Sequence, residues 1–525
     1  MKILISEPIE QQCVDILKSE GFDVDFKPTI TSDELKQSIG SYSALIVRSA
    51  TKVTADILSN AGTMKVIGRA GTGVDNIDIN AATRRGIIVL NVPGGNTVST
   101  AEHSISLLMA LARNIPQAHQ SMREGKWERK KYVGVELCGK TLGVIGLGKV
   151  GKEVAKRCLG FEMKVIAFDP VLSPEVAAKM GIELVDLDIV LRRSDFITVH
   201  TPLTNETRNL IDVRALAMCK KGVRIVNCAR GGIINEQALL DALNAGIVAG
   251  AALDVYEKEP PTDHPLVQHP RVVVTPHLGA STEDAQEKVA LEIAHQVSDV
   301  LKGKDIVGSV NANIIRQAMH TEIQPYLLLA EKLGMLTAQL MQGKMYTLKI
   351  QTSGMLVNDA NSALSAATLQ GIFSTILDEP INYLNAPLIA RERGLNVQLS
   401  SEGEHETYNQ LLTVSYETDK EQRSFAGTVF GNKNIRIVAI DGFHFEIKPE
   451  GYLLIYYNLD RPGMLASVGN ILAGAEINIA GVSLGRFGQG EQALTIMNID
   501  SPVPEAVMKQ LEKIEGVTGV KMVKL

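Results

Sequence analysis

The run Gly-Leu-Gly-Lys-Val-Gly at 146–151 constrains this chain more than any other stretch. An apolar run at 142–145 precedes it, a helical pattern at 149–157 starts inside it, and Asp169 ends the next apolar run, 18 residues beyond Gly151. Strand, glycine turn, helix, strand and acid in that order describe a βαβ unit. Its glycines Gly146, Gly148 and Gly151 allow a tight turn and bring backbone amides up to a pyrophosphate at the positive end of a helix. A carboxylate at Asp169 accepts hydrogen bonds from an adenosine ribose and repels a 2′-phosphate. The next residue is Pro170 and not an arginine, so the motif predicts NAD in preference to NADP.

The unit sits in a longer rhythm. At roughly 150 residues per domain, 525 residues suggest three or four domains. Short apolar runs at 3–5, 44–47, 66–67 and 87–89 alternate with helical stretches, which reads as an open parallel α/β sheet. A helix expected over 100–113, opened by a capping box of Ser99 and Glu102, leads out of it. The strand-helix rhythm then repeats over 141–275, and the helical stretch 282–301 is long enough to pack back on the first unit. The expected fold class is therefore α/β: a discontinuous first domain over 1–97 and 283–305, and a Rossmann domain over 98–282, both doubly wound on parallel sheets. A mixed α+β intervening domain over 306–448 follows. Residues 452–525 read strand, helix, strand, strand, helix, strand, the ferredoxin-like order.

Composition removes several classes of function. Lys plus Arg total 53 and Asp plus Glu 59, a net charge of −6 with no basic block, so nucleic acid is not an expected partner. The longest uncharged stretch, 360–377, carries Asn361, Ser362, Ser365, Thr368, Gln370 and Gly371, and no membrane helix is expected. Five cysteines without a CxxC pair suit a reducing compartment. The amino terminus meets Glu7 after three apolar residues, and reads as the first strand of a cytoplasmic protein.

Three charged residues stand just after expected strands of the Rossmann unit: Arg230, Glu259 and His277. Open α/β sheets place ligands at that edge. An arginine binds a carboxylate bidentately and polarises the neighbouring carbonyl, and a histidine carries the proton that accompanies hydride transfer. A nearby glutamate would raise the histidine pKa and hold its ring. In the first unit, Arg48 and Arg69 end strands facing the same crevice. Two cations there suit a dianionic phosphate, unless they pair with Asp75 or Asp78. Gly71 to Gly73 could add backbone amides, and Asn96 a side-chain amide.

These residues resemble the D-isomer-specific 2-hydroxyacid dehydrogenases, over nearly the whole chain and most strongly over 44–282. The resemblance implies that Arg230 binds the substrate carboxylate and carbonyl, that Glu259 supports the histidine and that His277 is the acid/base. It implies NAD contacts at Lys149, Val150, Asp169, Thr201, Pro202, Cys228, Ala229, Arg230, Asp254, His277, Gly279 and Ala280, with Asp254 near the nicotinamide amide. The substrate pocket would draw on Arg48, Ser49, Arg69, Thr72, Gly73, Asn96, Arg230 and His277. The Arg-Ser-Ala-Thr stretch at 48–51 and the stretch from Gly68 to Asn76 look like the phosphoglycerate branch. That implies NAD-dependent oxidation of D-3-phosphoglycerate to 3-phosphohydroxypyruvate, the entry step of serine synthesis, in a homodimer or homotetramer. The rivals are a glyoxylate or hydroxypyruvate reductase, and an NAD-sensing transcriptional corepressor on the same fold.

Other residues read structurally. Hydride transfer needs no thiol from Cys228, and His103 on an apolar helix reads as a satisfied core histidine. His264 and His269 have no partner at metal-ligand spacing, so no metal is expected. Trp127, in a basic segment between the domains, matches a region that packs on a second subunit in the family. The loop from Asn458 to Leu465 resembles the ligand loop of ACT domains, which pair between subunits and bind amino acids. Effector positions for L-serine would fall on Asn458, Asp460 and Asn478, although Asn458 departs from the His or Tyr expected there.

Overall fold

The computed structural model describes residues 1–318, 320–431 and 433–525, and of Asn313, Ile315 and Arg316 the backbone alone. Four sheets follow one another along the chain. The first has five parallel strands, β1 (Lys2–Ile5), β2 (Asp23–Phe26), β3 (Ala44–Val47), β4 (Val66–Arg69) and β5 (Ile88–Leu90), ordered β2-β1-β3-β4-β5. Strand β3 is buried on both faces, as a sheet covered by helices on either side requires. Strand β2 has no fully buried residue, which is why its polar sequence did not read as a strand.

The second sheet has seven parallel strands: β6 (Thr141–Ile145), β7 (Lys164–Phe168), β8 (Glu183–Leu184), β9 (Phe196–Val199), β10 (Val223–Asn227), β11 (Val248–Leu253) and β12 (Val272–Val274). Their order, β12-β11-β10-β9-β6-β7-β8, reverses direction at β6/β9, the switch point where such sheets bind ligands. Two helices cross between the first two domains. The helix Thr97–Arg113 starts three residues earlier than expected. Ser99 lies inside it and caps nothing; its hydroxyl bonds Thr282 Oγ1 at 2.8 Å, tying the outgoing crossing to the returning one. The returning helix Glu283–Leu301 lies on β4 at Gly68, where a Cβ would stand 2.7 Å from Val297 and 2.9 Å from Ile293. That close approach completes the first domain's core from a distant part of the sequence.

Residues beyond 305 stay with the first domain for several positions: Val310 N–H donates to the Val89 carbonyl, Asn91 N–H to that of Gly308, and Ile306 and Ala312 are buried in its core. The change of texture in the sequence precedes the change of domain, because this segment pairs irregularly with β5.

The third sheet joins β13 (Met345–Ser353), β14 (Asn396–Glu402), β15 (Leu411–Thr418), β16 (Gln422–Phe430), β17 (Asn434–Ile440) and β18 (Phe443–Ile447), in the order β14-β13-β15-β16-β17-β18. Its helices Gln324–Leu340 and Asn361–Ile376 pack closely, with glycines Gly334 and Gly371 against the partner helix backbone. Leu384 of this domain inserts into the first domain's core, Asn385 Nδ2 donates to the Arg84 carbonyl at 3.1 Å, and Arg84 pairs with Glu392.

The last sheet, β19 (Tyr452–Leu459), β20 (Ile479–Arg486), β21 (Gln492–Ile499) and β22 (Val517–Lys524), runs β20-β21-β19-β22 and is antiparallel. With its two helices it is the expected ferredoxin-like unit. Leu454 and Tyr456 on β19 face those helices, whereas Leu453 and Ile455 join the core of the third domain. One face of this module is thus covered within the chain.

Candidate active site

Strand β6 delivers the glycine loop. Gly146 has φ +94° and a Cβ there would stand 2.7 Å from the His200 carbonyl oxygen; one on Gly151 would collide with Gly146. A Cβ on Gly148, by contrast, would meet nothing within 4 Å. Two glycines therefore shape the turn, and the third leaves the approach to the helix Lys149–Gly160 open. Asp169, after β7, accepts the Leu147 amide at 2.8 Å through one oxygen and those of Val171 and Leu172 through the other. Partial burial pushes its pKa up, but the three amides outweigh that and keep it ionised. Lys149 Nζ donates to the Pro93 carbonyl at 2.8 Å, across to the loop that leaves the first domain.

The three charged residues converge at the ends of β10, β11 and β12. Asn227, the last residue of β10, accepts from the Ala229 amide and donates to the Arg230 carbonyl, closing the turn that projects Arg230. Arg230 Nη1 donates to Ala229 O at 2.7 Å, and Nε reaches across the crevice to Asp75 Oδ2 at 3.1 Å. His277 has φ +56°, a conformation rare outside glycine. Asp254 holds it there: its carbonyl accepts the His277 amide, and its carboxylate accepts the amides of Leu278 at 2.7 Å and Gly279 at 2.9 Å and the Thr275 hydroxyl at 2.6 Å. His103 Nε2 completes the set at 3.2 Å. Burial pushes the Asp254 pKa up, and these partners more than reverse it.

The histidine–glutamate pair is formed. His277 Nδ1 lies 2.9 Å from Glu259 Oε2, and Glu259 Oε1 accepts the Tyr256 amide. The Glu259 hydrogen bond raises the His277 pKa above its ordinary value despite partial burial. Burial pushes Glu259 up, but His277 brings it below the usual carboxylate range. With Nδ1 occupied, His277 has Nε2 left for proton exchange.

Two adjoining cavities share Arg69, Asn96, His277 and Ala280. One, of about 310 Å³, adds Arg48, Ser49, Gly71, Glu259, Ser281 and Gln286. The other, of about 420 Å³, adds Thr72, Gly73, Val150, Thr201, Pro202, Cys228, Ala229, Arg230, Asp254 and Gly279. Arg69 Nε, Thr100 Oγ1 and Thr201 Oγ1 are buried there without hydrogen-bond partners among the described residues. Unpaired buried polar atoms in a crevice fit a ligand that supplies their partners. The open approach at Gly148, the Asp169 carboxylate and the Thr201 hydroxyl suit a dinucleotide.

Neither arginine of the first domain takes the alternative partner. Asp75 pairs with Arg230, and Asp78 caps the helix Ile79–Arg84 through the Ala81 amide. Arg48 Nη1 reaches only the Pro8 carbonyl, at 3.1 Å. Thr72 donates to Asn96 Oδ1 at 2.7 Å, which orients the Asn96 amide.

Several readings are corrected or refined. The Asp254 carboxylate braces the His277 turn, Oδ1 taking the Leu278 amide and the Thr275 hydroxyl and Oδ2 the Gly279 amide alone, and Asp254 also lines the larger cavity, where the nicotinamide contact was expected. Cys228 is buried with its thiol pushed up to about 12, which fits a packing role. His103 is satisfied, but by Asp254 and Thr275 of this same site. His264 pairs with Glu236 at 3.2 Å, and no cluster of metal-ligating residues occurs among the described residues. At the ACT-like loop, Asn458 is buried and accepts from Thr495, Asp460 pairs with Arg486, and Asn478 donates to Asp500. Each expected effector residue is thus engaged inside its own domain. Sequence reasoning missed Glu7 and Asn76, which touch loop backbone, and set Asp75 against Arg48 or Arg69 where the structure sets it on Arg230; a carboxylate two residues past the first buried strand was the available signal for Glu7.

Residues 105–279 match the family model "D-isomer specific 2-hydroxyacid dehydrogenase, NAD binding domain". The fold and site therefore define an NAD-dependent 2-hydroxyacid dehydrogenase. Residues 322–441 match the D-3-phosphoglycerate dehydrogenase intervening domain, and 451–516 the ACT domain. The D-3-phosphoglycerate dehydrogenase of Archaeoglobus fulgidus is 45% identical over 529 residues, covering 100% of each chain. That of Methanocaldococcus jannaschii is 43% identical over 526 residues, again covering 100% of each. Among solved structures, D-lactate dehydrogenase from Aquifex aeolicus complexed with NAD and lactic acid has a TM-score of 0.53 at 28% identity, covering 58% of this chain and 96% of that one. The chain belongs to the D-3-phosphoglycerate dehydrogenase family.

Proposed function

We propose that the chain oxidises D-3-phosphoglycerate to 3-phosphohydroxypyruvate with NAD, the first step of L-serine biosynthesis. The observation that carries this reading is the placement of Arg48 and Arg69, free of carboxylate partners among the described residues, in a cavity that also holds His277 and Glu259. A substrate phosphate placed there would sit at one end of a molecule whose carboxylate reaches Arg230. A glyoxylate or hydroxypyruvate reductase has no use for that cationic end. A corepressor needs no formed His277–Glu259 pair.

The glycine loop, Asp169 and Thr201 would hold NAD, which would supply the hydride acceptor. Neutral His277 takes the hydroxyl proton at Nε2 as the carbon–hydrogen bond breaks, and Glu259 holds the imidazolium that results. Arg230 anchors the carboxylate and polarises the developing carbonyl, for which the substrate displaces Asp75 from the guanidinium. Closure of the crevice on the two helical crossings excludes water.

The test compares NADH-dependent reduction of 3-phosphohydroxypyruvate and unphosphorylated hydroxypyruvate. A preference of about a hundredfold in kcat/KM, or about 2.7 kcal/mol, is the expected result. Equal rates would move the assignment to a general hydroxyacid reductase.

We also propose that the chain works as a homodimer or homotetramer through the surface around Trp127. Trp127 is 74% and Val133 77% exposed, with Ile115 and Met122 beside them in sequence on the helix Ile115–Arg123. Trp127→Glu should lower the mass measured by light scattering. No helix among the described residues is long and apolar enough to cross a membrane, and the five free thiols suit the cytoplasm. L-Serine is the proposed ligand of the ACT domain, at Asn458, Asp460 and Asn478, where its ammonium would take Asp460 from Arg486.

A further inference from the structure

Glu7 follows β1 and is 6% exposed, yet it carries a carboxylate that no arginine or lysine side chain bonds among the described residues. Its partners are three backbone amides of one loop. Oε1 accepts from Arg48 at 2.9 Å and Thr51 at 2.8 Å, and Oε2 from Ala50 at 3.0 Å. The other side of the same loop is held by Asn76, whose Nδ2 donates to the carbonyls of Arg48 at 2.9 Å and Thr51 at 2.7 Å. Ser6 Oγ lies 3.0 Å from Thr51 Oγ1. The amides of 48, 50 and 51 and the carbonyls of 48 and 51 are therefore all spoken for, and none is available to a ligand.

What this loop leaves for an anion is the Ser49 amide and two side chains. The side chains left are those of Arg48 and Ser49, both lining the cavity that contains Arg69. Arg48 has four rotatable side-chain bonds, so its usefulness depends on where its Cα is held. A buried anion beside a cationic site also lowers its positive potential; that cost is tolerable only if three charge-assisted hydrogen bonds are needed to shape the loop.

We infer that Glu7, opposed by Asn76, is a positioning residue that presents Arg48 and Ser49 to the substrate phosphate without touching it. This deepens the proposed function and rests on its assignment of the phosphate to the Arg48 cavity.

The test uses the full chain and three variants, Glu7→Gln, Asn76→Ala and Arg48→Ala. For each, kcat and KM are measured with 3-phosphohydroxypyruvate and with hydroxypyruvate, and NADH affinity by fluorescence. A glutamine can accept from the 48 and 51 amides, but its NH2 then faces the Ala50 N–H, so the loop shifts while much of the fold persists. The expected result is a fall of about tenfold in the kcat/KM ratio of phosphorylated to unphosphorylated ketoacid, carried by KM, in both Glu7→Gln and Asn76→Ala. Arg48→Ala should lower the same ratio further. If Arg48→Ala collapses the ratio and the other two leave it within about twofold, the positioning role is wrong and the phosphate assignment stands. A tighter KM in Glu7→Gln would overturn it too, since charge would then outweigh geometry. A parallel loss with both ketoacids, or loss of NADH affinity, would reduce Glu7 to a structural residue. If Arg48→Ala leaves the ratio intact, the phosphate assignment itself fails. Should Glu7→Gln not fold, Asn76→Ala decides the matter alone, because it loosens the same loop from the opposite side.

Discussion

The crevice between the first two domains and the ACT module at the carboxy terminus were both read as ligand sites, and the structure treats their polar groups in opposite ways. In the crevice, Arg69 Nε, Thr100 Oγ1 and Thr201 Oγ1 are buried without partners among the described residues, and the ion pair across it, Arg230–Asp75, has its carboxylate largely exposed. In the ACT module, Asn458, Asp460 and Asn478 each bond a neighbour in the same domain. A ligand entering the crevice gains hydrogen bonds that the protein leaves open, whereas one entering the ACT loop must first replace bonds already made. Polar side chains thus differ in readiness because of what stands next to them.

The largest test of this contrast is His277→Ala. Loss of the proton carrier should cut turnover by about 10² to 10⁴ in either direction, with NADH binding retained by fluorescence titration. Near-normal turnover would remove His277 from the mechanism and leave the crevice as a binding site only.

The pH dependence comes next. Glu259 raises the His277 pKa, so the imidazolium persists above the ordinary histidine value. Ketoacid reduction, which needs the protonated ring, should lose kcat/KM as pH rises through that raised pKa, and oxidation should gain over the same interval. Glu259→Gln should move both limbs to lower pH and slow the reaction by roughly tenfold to a hundredfold. An unmoved profile would assign the titration to another group.

Asp75→Asn weakens the one ion pair that the substrate carboxylate must displace. A severalfold change in substrate KM is expected, larger than that in kcat, because an exposed pair contributes roughly 0.2–1 kcal/mol. The smallest effect is expected from the ACT loop: L-serine should change kcat by less than about twofold, since binding breaks as many hydrogen bonds as it makes. Strong inhibition that Asp460→Asn abolishes would show that exchanging Arg486 for the serine ammonium is strongly favourable, and would erase the contrast between the two regions.

Local signals made much of this legible. Each buried parallel strand is a short apolar run with turn residues at its end, so β3 could be read to the residue. Arg230, Glu259 and His277 stood out because charged residues follow those runs at one sheet edge. The exposed strand β2 escaped, having no apolar period to read. Ser99 and Glu102 misled, since a hydroxyl three residues before an acid fits a helix start equally well inside a helix, and only the contact with Thr282 shows which it is.

The sequence by itself determined the glycine turn, the acid after β7, the order of strands and helices and the residue types at the strand ends, because these depend on local backbone geometry and hydrophobic period. The tertiary structure alone decided which of those groups are free. It set Asp75 on Arg230 and not on Arg48 or Arg69, put Asp254 beneath His277, and turned Glu7 and Asn76 onto one loop from separate parts of the chain. Hydrogen-bond partnership depends on distances of about 3 Å between residues far apart in sequence, and no local pattern encodes those distances.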